Sequence, residues 1–182
     1  LPKFPVFLKP ASGSASKGTA LAENPEDYAY WRKRIPDCLV QEYVRGPEYT
    51  CDVYVDSRRA VRCVVPRRRI EVRGGEVTRS RVEKRPAVMA ECRRLVETLG
   101  AGPGVITIQG FLDERGEMVF TEVNPRFGGG VPLSIQAGAD FPRWVLEELE
   151  GRRPRIRFSG FTDGLLMLRY DKEIWVRGGG AG

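Results

Sequence analysis

The stretch ITIQGFLDERGEMVFTEVNPRFGGG, residues 106–130, joins two apolar runs through a polar turn and ends in three glycines. The runs predict two strands, 105–112 and 117–124, with Asp113–Gly116 as the loop between them. Strands joined by so short a loop pair antiparallel. The stretch therefore predicts a hairpin within an antiparallel sheet.

Three polar side chains of this hairpin are predicted to share one face. Glu122 and Asn124 are two residues apart on a strand, so both point the same way. The four-residue loop sets Thr107 opposite Glu122, which places Gln109 on that face as well. Carboxylate and amide oxygens are costly to bury without a partner, and Mg²⁺ binds such oxygens. The pattern predicts a metal site, and a simply solvated face is the alternative.

The residues after this hairpin carry groups that bind anions. Arg126 can bind a phosphoryl oxygen, and Gly128–Gly130 can present backbone N–H groups to an anion ahead of a helix near Val131. The chain contains no histidine, which excludes a Ser-His or Cys-His nucleophile pair. Phosphoryl transfer needs no such nucleophile, because it relies on positioning and charge neutralisation. The combination predicts a phosphoryl-transfer site.

A second stretch, FLKPASGSASKGT at residues 7–19, sets a lysine ahead of a run of small residues. It is not a P-loop, because Lys followed by Ser or Thr does not come after Gly18. The signal for a helix start comes only at Asn24, so the loop is predicted to join two strands, 6–9 and 19–22. A flap that closes over a polyphosphate has this form, and so does a plain mobile loop.

A third stretch, LVQEYVRGPEYTCDVYVD at residues 39–56, predicts two strands, 39–44 and 48–55, around a turn. Gln41 and Glu42 can line a slot whose backbone reads a flat base, and Glu48 can accept a hydrogen bond from a ribose hydroxyl. An ordinary pair of strands with an edge glutamate explains the same pattern.

The rest of the chain adds strands and a few helices. Apolar segments between turn residues predict strands at 60–65, 70–73, 76–82 and 165–170. Proline starts and glycine or proline ends predict helices at 25–35 and 86–99, with shorter helical stretches at 132–136 and 142–150. Mostly antiparallel strands with a few helices indicate an α+β fold.

Composition limits the classes of function. At 182 residues the chain has room for one domain or two small subdomains. No apolar run has the length of a membrane span and no signal peptide is visible, so we expect a cytoplasmic protein without membrane partners. Four cysteines without CxxC spacing are typical of reduced, buried thiols. The net charge of +6 suits a nucleic acid or a small polyanion such as ATP. Acidic and amide residues at the predicted site argue against nucleic acid.

In chain order, KPASGSASKG, QEYVRGPEYTCDVYVD, and ITIQGF with FTEVNPRFGGG resemble the ATP-grasp superfamily, most closely its carbamoyl-phosphate-synthase-like ligases. The resemblance covers about residues 4–150. It implies two α+β subdomains, with mostly antiparallel sheets, that grip a nucleotide. These would be a glycine-rich-loop lid at 1–44 and a C-terminal ATP-grasp subdomain at 45–177, followed by a glycine-rich tail at 178–182. A Rossmann-like domain would precede Leu1.

The resemblance also implies roles for matching residues. Lys9 would contact the ATP phosphates and, with Arg126, take part in catalysis, since Arg126 would steady the transferred phosphoryl group. The loop that closes over the phosphates would include Ser12, Gly13, Ser14, Ser16 and Gly18. Adenine would lie against Gln41, Glu42, Tyr43 and Val44, and ribose against Glu48. Mg²⁺, or alternatively Mn²⁺, would be held by Gln109, Glu122 and Asn124.

The implied reaction joins a small-molecule carboxylate to an amine or related nucleophile through an acyl phosphate made from ATP. A non-catalytic nucleotide-binding fragment and one half of a split ligase, completed by a partner chain, are alternatives. Some members of the superfamily use a histidine near the triphosphate. Arg67 or Arg69 could supply that charge here, although alternate arginines on a strand more often face solvent.

Overall fold

The computed structural model describes residues 2–12 and 18–175, which form two antiparallel sheets with four helices. The elements are β1 (Val6–Pro10), β2 (Ala20–Ala22), α1 (Pro25–Arg34), β3 (Cys38–Glu42), β4 (Glu48–Val55), β5 (Val61–Arg73), β6 (Glu76–Val82), α2 (Pro86–Leu99), β7 (Gly104–Leu112), β8 (Met118–Asn124), α3 (Val131–Gln136), α4 (Phe141–Leu149) and β9 (Leu166–Leu168). The predicted α+β class is confirmed. Within the described ranges, no helix is both long and apolar enough to cross a bilayer.

The smaller sheet has the order β2-β1-β3, and β1 and β2 form the hairpin predicted from the glycine-rich stretch. Val6 and Leu8 are buried on the face that packs against α1. Phe7 and Lys9 alternate with them, so they point to the opposite face. The helix begins where the sequence predicts, because Asn24 Oδ1 accepts a hydrogen bond from the Asp27 backbone N–H at 2.9 Å.

The larger sheet has the order β8-β7-β4-β5-β6-β9. The central strand β4 alternates as predicted: Cys51 and Val53 lie in the core with the buried face of α2, while Asp52 points the other way. At its far end Tyr54 packs against Phe141 of α4. Helices therefore pack on both faces of the sheet at that end, while Thr50 nearer the other end of β4 lies on the side facing the smaller sheet.

Strand β5 differs from the sequence prediction. Separate strands at 60–65 and 70–73 were expected, yet the strand runs unbroken through Pro66, which pairs with Cys51 of β4. The carbonyl oxygen of Pro66 still has a hydrogen-bond partner, since it accepts from the Glu83 backbone N–H at 3.0 Å. Antiparallel neighbours on both sides keep the backbone extended. As a result Arg67 and Arg69 lie within the sheet.

The β7–β8 hairpin forms with a register that corrects the prediction. Thr107 pairs with Asn124, and Glu122 pairs with Gln109 instead of Thr107. Leu112 pairs with Met118, so the loop is one residue longer than predicted, and a bulge after Gln109 adds a second residue to the change. Gly110 permits the distortion: a Cβ atom there would lie 2.4 Å from the Val119 carbonyl oxygen. The residue opposite Glu122 differs from the prediction by two positions on β7. Because side chains alternate with a period of two, Gln109, Glu122 and Asn124 still share one face, as predicted.

Candidate functional site

A cleft of about 1330 Å³ lies between the two sheets. Its upper wall is the outward face of the smaller sheet, including Phe7, Lys9 and Gln41. Its floor is formed by five adjacent strands of the larger sheet, β8, β7, β4, β5 and β6. The polar face of the larger sheet and the smaller sheet opposite it therefore enclose enough space for a ligand of several rings or phosphates.

Most residues predicted for the site line this cleft. They are Lys9, Ser12, Gln41, Glu42, Tyr43, Val44, Glu48, Gln109, Glu122, Asn124 and Arg126. Gly18 does not line it. Gly13, Ser14 and Ser16 lie outside the described residues. Three stretches far apart in the chain thus meet at one place.

The candidate metal ligands are neighbours on β7 and β8. Gln109 lies directly opposite Glu122, and the Asn124 side-chain amide donates to Glu122 Oε1 at 2.6 Å. Across residues 2–12 and 18–175 no three Cys, Asp or Glu side chains cluster as metal ligands. A cation bound here would therefore be coordinated by one carboxylate and two amide oxygens, a donor set that fits a hard cation such as Mg²⁺.

Glu48 is paired with an arginine inside the cleft. Its Oε1 lies 3.0 Å from Arg69 Nε and forms an ion pair without hydrogen-bond geometry. Arg69 donates hydrogen bonds to the Gly75 carbonyl at 3.2 Å and to Thr50 Oγ1 at 3.4 Å. The Arg69 side chain is only 10% exposed. The sequence allowed Arg69 a role near phosphates but favoured a solvent-facing side chain, and the latter is wrong.

Arg67 is more deeply buried, at 1% exposure, and forms a network that the sequence reading missed. It donates to Asp52 through Nε at 2.7 Å and through Nη2 at 3.0 Å. Ser134 Oγ of α3 donates to the same carboxylate at 2.6 Å. Arg67 Nη1 is buried without a hydrogen-bond partner. An aspartate in mid-strand on the polar face of β4 was the available signal.

The glycine run Gly128–Gly130 borders the cleft directly above Arg67. Among the described residues, none of its three backbone N–H groups donates a hydrogen bond. Arg169, which follows β9 directly and was also missed in the sequence, donates to the Gly129 carbonyl. Thr107 Oγ1 donates to the Arg126 carbonyl at 2.8 Å and so ties the start of the loop to β7. Unpaired N–H groups at a cleft are suited to an anion.

Residues 34–169 match the family model described as ATP-grasp in the biosynthetic pathway with Ter operon. The chain belongs to this ATP-grasp family. The ATP-grasp fold predicted from the resemblance is therefore confirmed. The match includes β4, both strands of the β7–β8 hairpin and the glycine run.

Among curated relatives, this ATP-grasp chain is similar to D-alanine–D-alanine ligase of Fusobacterium nucleatum, with 25% identity over 131 residues, or 67% of the chain and 46% of the ligase. Among solved structures, it is similar to the biotin carboxylase domain of Hydrogenobacter thermophilus 2-oxoglutarate carboxylase in complex with MgADP, ADP and bicarbonate. That likeness has a TM-score of 0.64 and 20% identity, and covers 90% of the chain and 40% of the other.

N5-carboxyaminoimidazole ribonucleotide synthetase of Thermus thermophilus is also similar, with a TM-score of 0.65 and 19% identity over 86% of the chain and 44% of the synthetase. Both structural likenesses show the ATP-grasp fold. The chain spans less than half the length of each of these three proteins.

Proposed function

We propose that this chain is the ATP- and Mg²⁺-binding part of a carbamoyl-phosphate-synthase-like ligase that activates a carboxylate as an acyl phosphate. The observation that carries the proposal is the convergence of three separate stretches on one cleft between the sheets. Family membership and the ligases among the relatives support it. The solved structure of a related fold with MgADP and bicarbonate supports the choice of nucleotide and metal.

The nucleotide would span both walls. Adenine would lie against the segment 41–44, and Glu48 would accept from the ribose. Lys9, on the same wall as Gln41, would contact the phosphates, and the loop that includes Ser12 and Gly18 would close over them. Arg69 would stand where the sugar meets the phosphates, since it is already paired with Glu48. Acidic residues such as Glu42, Glu48 and Glu122 in the cleft favour a single nucleotide over a nucleic-acid strand.

Mg²⁺, or Mn²⁺ in its place, would be held by Gln109, Glu122 and Asn124. When bound, it would neutralise charge on the phosphate oxygens. Arg126 and the N–H groups of Gly128–Gly130 would hold the phosphoryl group as it moves. The carboxylate oxygen of the substrate bonds to the terminal phosphorus while the bond to the bridging oxygen breaks, and ADP leaves. The amine then attacks the acyl carbon and phosphate leaves.

The remaining parts of the proposal concern what surrounds this cleft. Residues 1–44 would act as the lid subdomain and 45–177 as the C-terminal subdomain. A Rossmann-like domain or a partner chain would complete the pocket for the carboxylate and the amine. The four cysteines are all unpaired and buried, which fits a reducing cytoplasm.

The test is calorimetric titration of ATP into the purified chain with Mg²⁺ and again with excess chelator. We expect metal-dependent binding that the Glu122→Ala variant loses. Glu117→Ala is the matched control, because it removes the same charge from the same hairpin outside the cleft. Equal binding by wild type and Glu122→Ala, with or without metal, would refute the metal assignment.

A further inference from the structure

The backbone of Gly130 packs directly against the guanidinium of Arg67. A Cβ atom on Gly130 would lie 2.2 Å from Arg67 Nη1 and 3.0 Å from its Cζ. The backbone at Gly130 has φ −91°, which any residue can adopt, so its own conformation does not require glycine. The neighbouring guanidinium excludes every larger side chain at this position.

The guanidinium cannot move aside easily. Asp52 holds it through two hydrogen bonds at 2.7 and 3.0 Å, and Ser134 fixes Asp52 through a third at 2.6 Å. All three side chains are buried. Displacing a buried, bidentate ion pair leaves charges without partners, which is strongly unfavourable. A side chain at position 130 would therefore push the loop away from the floor and leave Arg67 in place.

We propose that Arg67 is a positioning residue that sets the height of the glycine run in the cleft, so that the N–H groups of Gly128–Gly130 meet the terminal phosphates of ATP. Nη1 of the same guanidinium, next to Gly130, is buried without a hydrogen-bond partner. This inference rests on the proposed function, since it presumes a nucleotide in the cleft. It assigns the geometry of the glycine run to a residue on β5, far earlier in the chain.

Gly129 gives a comparison within the same loop. A Cβ atom there would lie 2.6 Å from Glu76 Oε2, the far end of a side chain that is 69% exposed. Glu76 can swing into solvent at little cost, whereas Arg67 cannot. Alanine at 129 should therefore disturb the loop less than alanine at 130.

The experiment measures calorimetric affinities for Mg²⁺–ATP and for AMP in wild type and in four variants: Gly130→Ala, Gly129→Ala, Arg67→Lys, and the double variant Arg67→Lys/Gly130→Ala. We expect Gly130→Ala to weaken Mg²⁺–ATP binding about tenfold, the value of one charge-assisted hydrogen bond, while AMP binding stays the same. Gly129→Ala should lose less. The double variant should recover, because lysine can still pair with Asp52 but has no atom at the position of Nη1.

Arg68→Lys serves as the control for the charge-conserving change, since Arg68 lies on the opposite face of β5 and is 48% exposed. It should bind both nucleotides as wild type does. If Gly130→Ala is too unstable to purify, recovery of folding in the double variant, followed by thermal unfolding, gives the same answer. Failure of the double variant to recover either folding or affinity would overturn the proposal.

The two proposals fail differently. Wild type that binds neither Mg²⁺–ATP nor AMP refutes the nucleotide site, and the positioning role falls with it. Wild type that binds both nucleotides, together with Gly130→Ala that binds Mg²⁺–ATP equally well or loses AMP in parallel, refutes only the role of Arg67.

Discussion

Glu48 and Arg69 lie side by side on the cleft floor, with Oε1 of the glutamate 3.0 Å from Nε of the arginine. The pair lies between the position expected for the ribose of ATP and the position expected for its phosphates. Its arginine is held on its other side by Thr50 and the Gly75 carbonyl, so the geometry is fixed before any ligand arrives. Such preorganisation lowers the cost of binding.

Replacing Arg69 by Gln should raise the dissociation constant for Mg²⁺–ATP roughly tenfold, because a charged contact is lost and Glu48 is left without its partner. Calorimetry measures the change. Arg79→Gln is the matched control, since Arg79 is 51% exposed and its nearest carboxylate, on Glu71, is 3.9 Å away. Equal affinity in both variants would show that Arg69 has no part in nucleotide binding.

Gly110→Ala should destabilise the β7–β8 hairpin and weaken the metal dependence of ATP binding. The new Cβ atom would meet the Val119 carbonyl oxygen at 2.4 Å, so the bulge that sets Glu122 opposite Gln109 has to change. Titration of Mg²⁺ at fixed ATP measures the effect. If the variant keeps the wild-type metal requirement, the bulge does not set the metal site.

Asp52→Ala should lower the free energy of unfolding by about 3–5 kcal/mol, because it leaves the buried Arg67 charge without a partner. Urea unfolding followed by circular dichroism provides the value. Glu71→Ala removes an exposed carboxylate whose contact with Arg79 is 3.9 Å long, so it should change stability by less than about 1 kcal/mol. A similar small change for both variants would contradict a buried network around Arg67.

Stability should fall as the pH rises from about 9 towards 12. Burial raises the pKa of the Cys63 thiol from 9.0 to about 12 and, with the Glu83 hydrogen bond, raises the pKa of Tyr49 from 10.0 to about 12. Because the folded state holds these protons more tightly, their contribution is complete below the unfolded pKa and is lost as the pH approaches the folded pKa. Urea unfolding across this range should show a shallower fall for Cys63→Val than for wild type. Identical slopes would mean that Cys63 does not contribute.

The parts of the site that could be predicted from sequence depend on local spacing. Glu122 and Asn124 share a face because they are two apart on a strand, and Gln109 joins them through a short hairpin loop. Even there, the register was wrong, because the loop is one residue longer than predicted and because the bulge depends on contacts between the strands.

The Arg67 network escaped prediction because its members are far apart along the chain. Asp52 lies 15 residues from Arg67, and Ser134 lies 82 residues from Asp52. Three consecutive arginines after a proline usually indicate a solvated surface, and only the pairing of β5 with strands on both sides buries the first of them. Burial of a charge is a property of the assembled sheet.

Along the described chain, one backbone segment crosses between the two sheets, at residues 43–47, where β3 ends and β4 begins. Within the described residues, this segment alone connects the two walls of the cleft along the chain. A molecule that contacts Lys9 on one wall and Glu122 on the other would link the two sheets a second time. Binding would then hold the two sheets at a fixed separation.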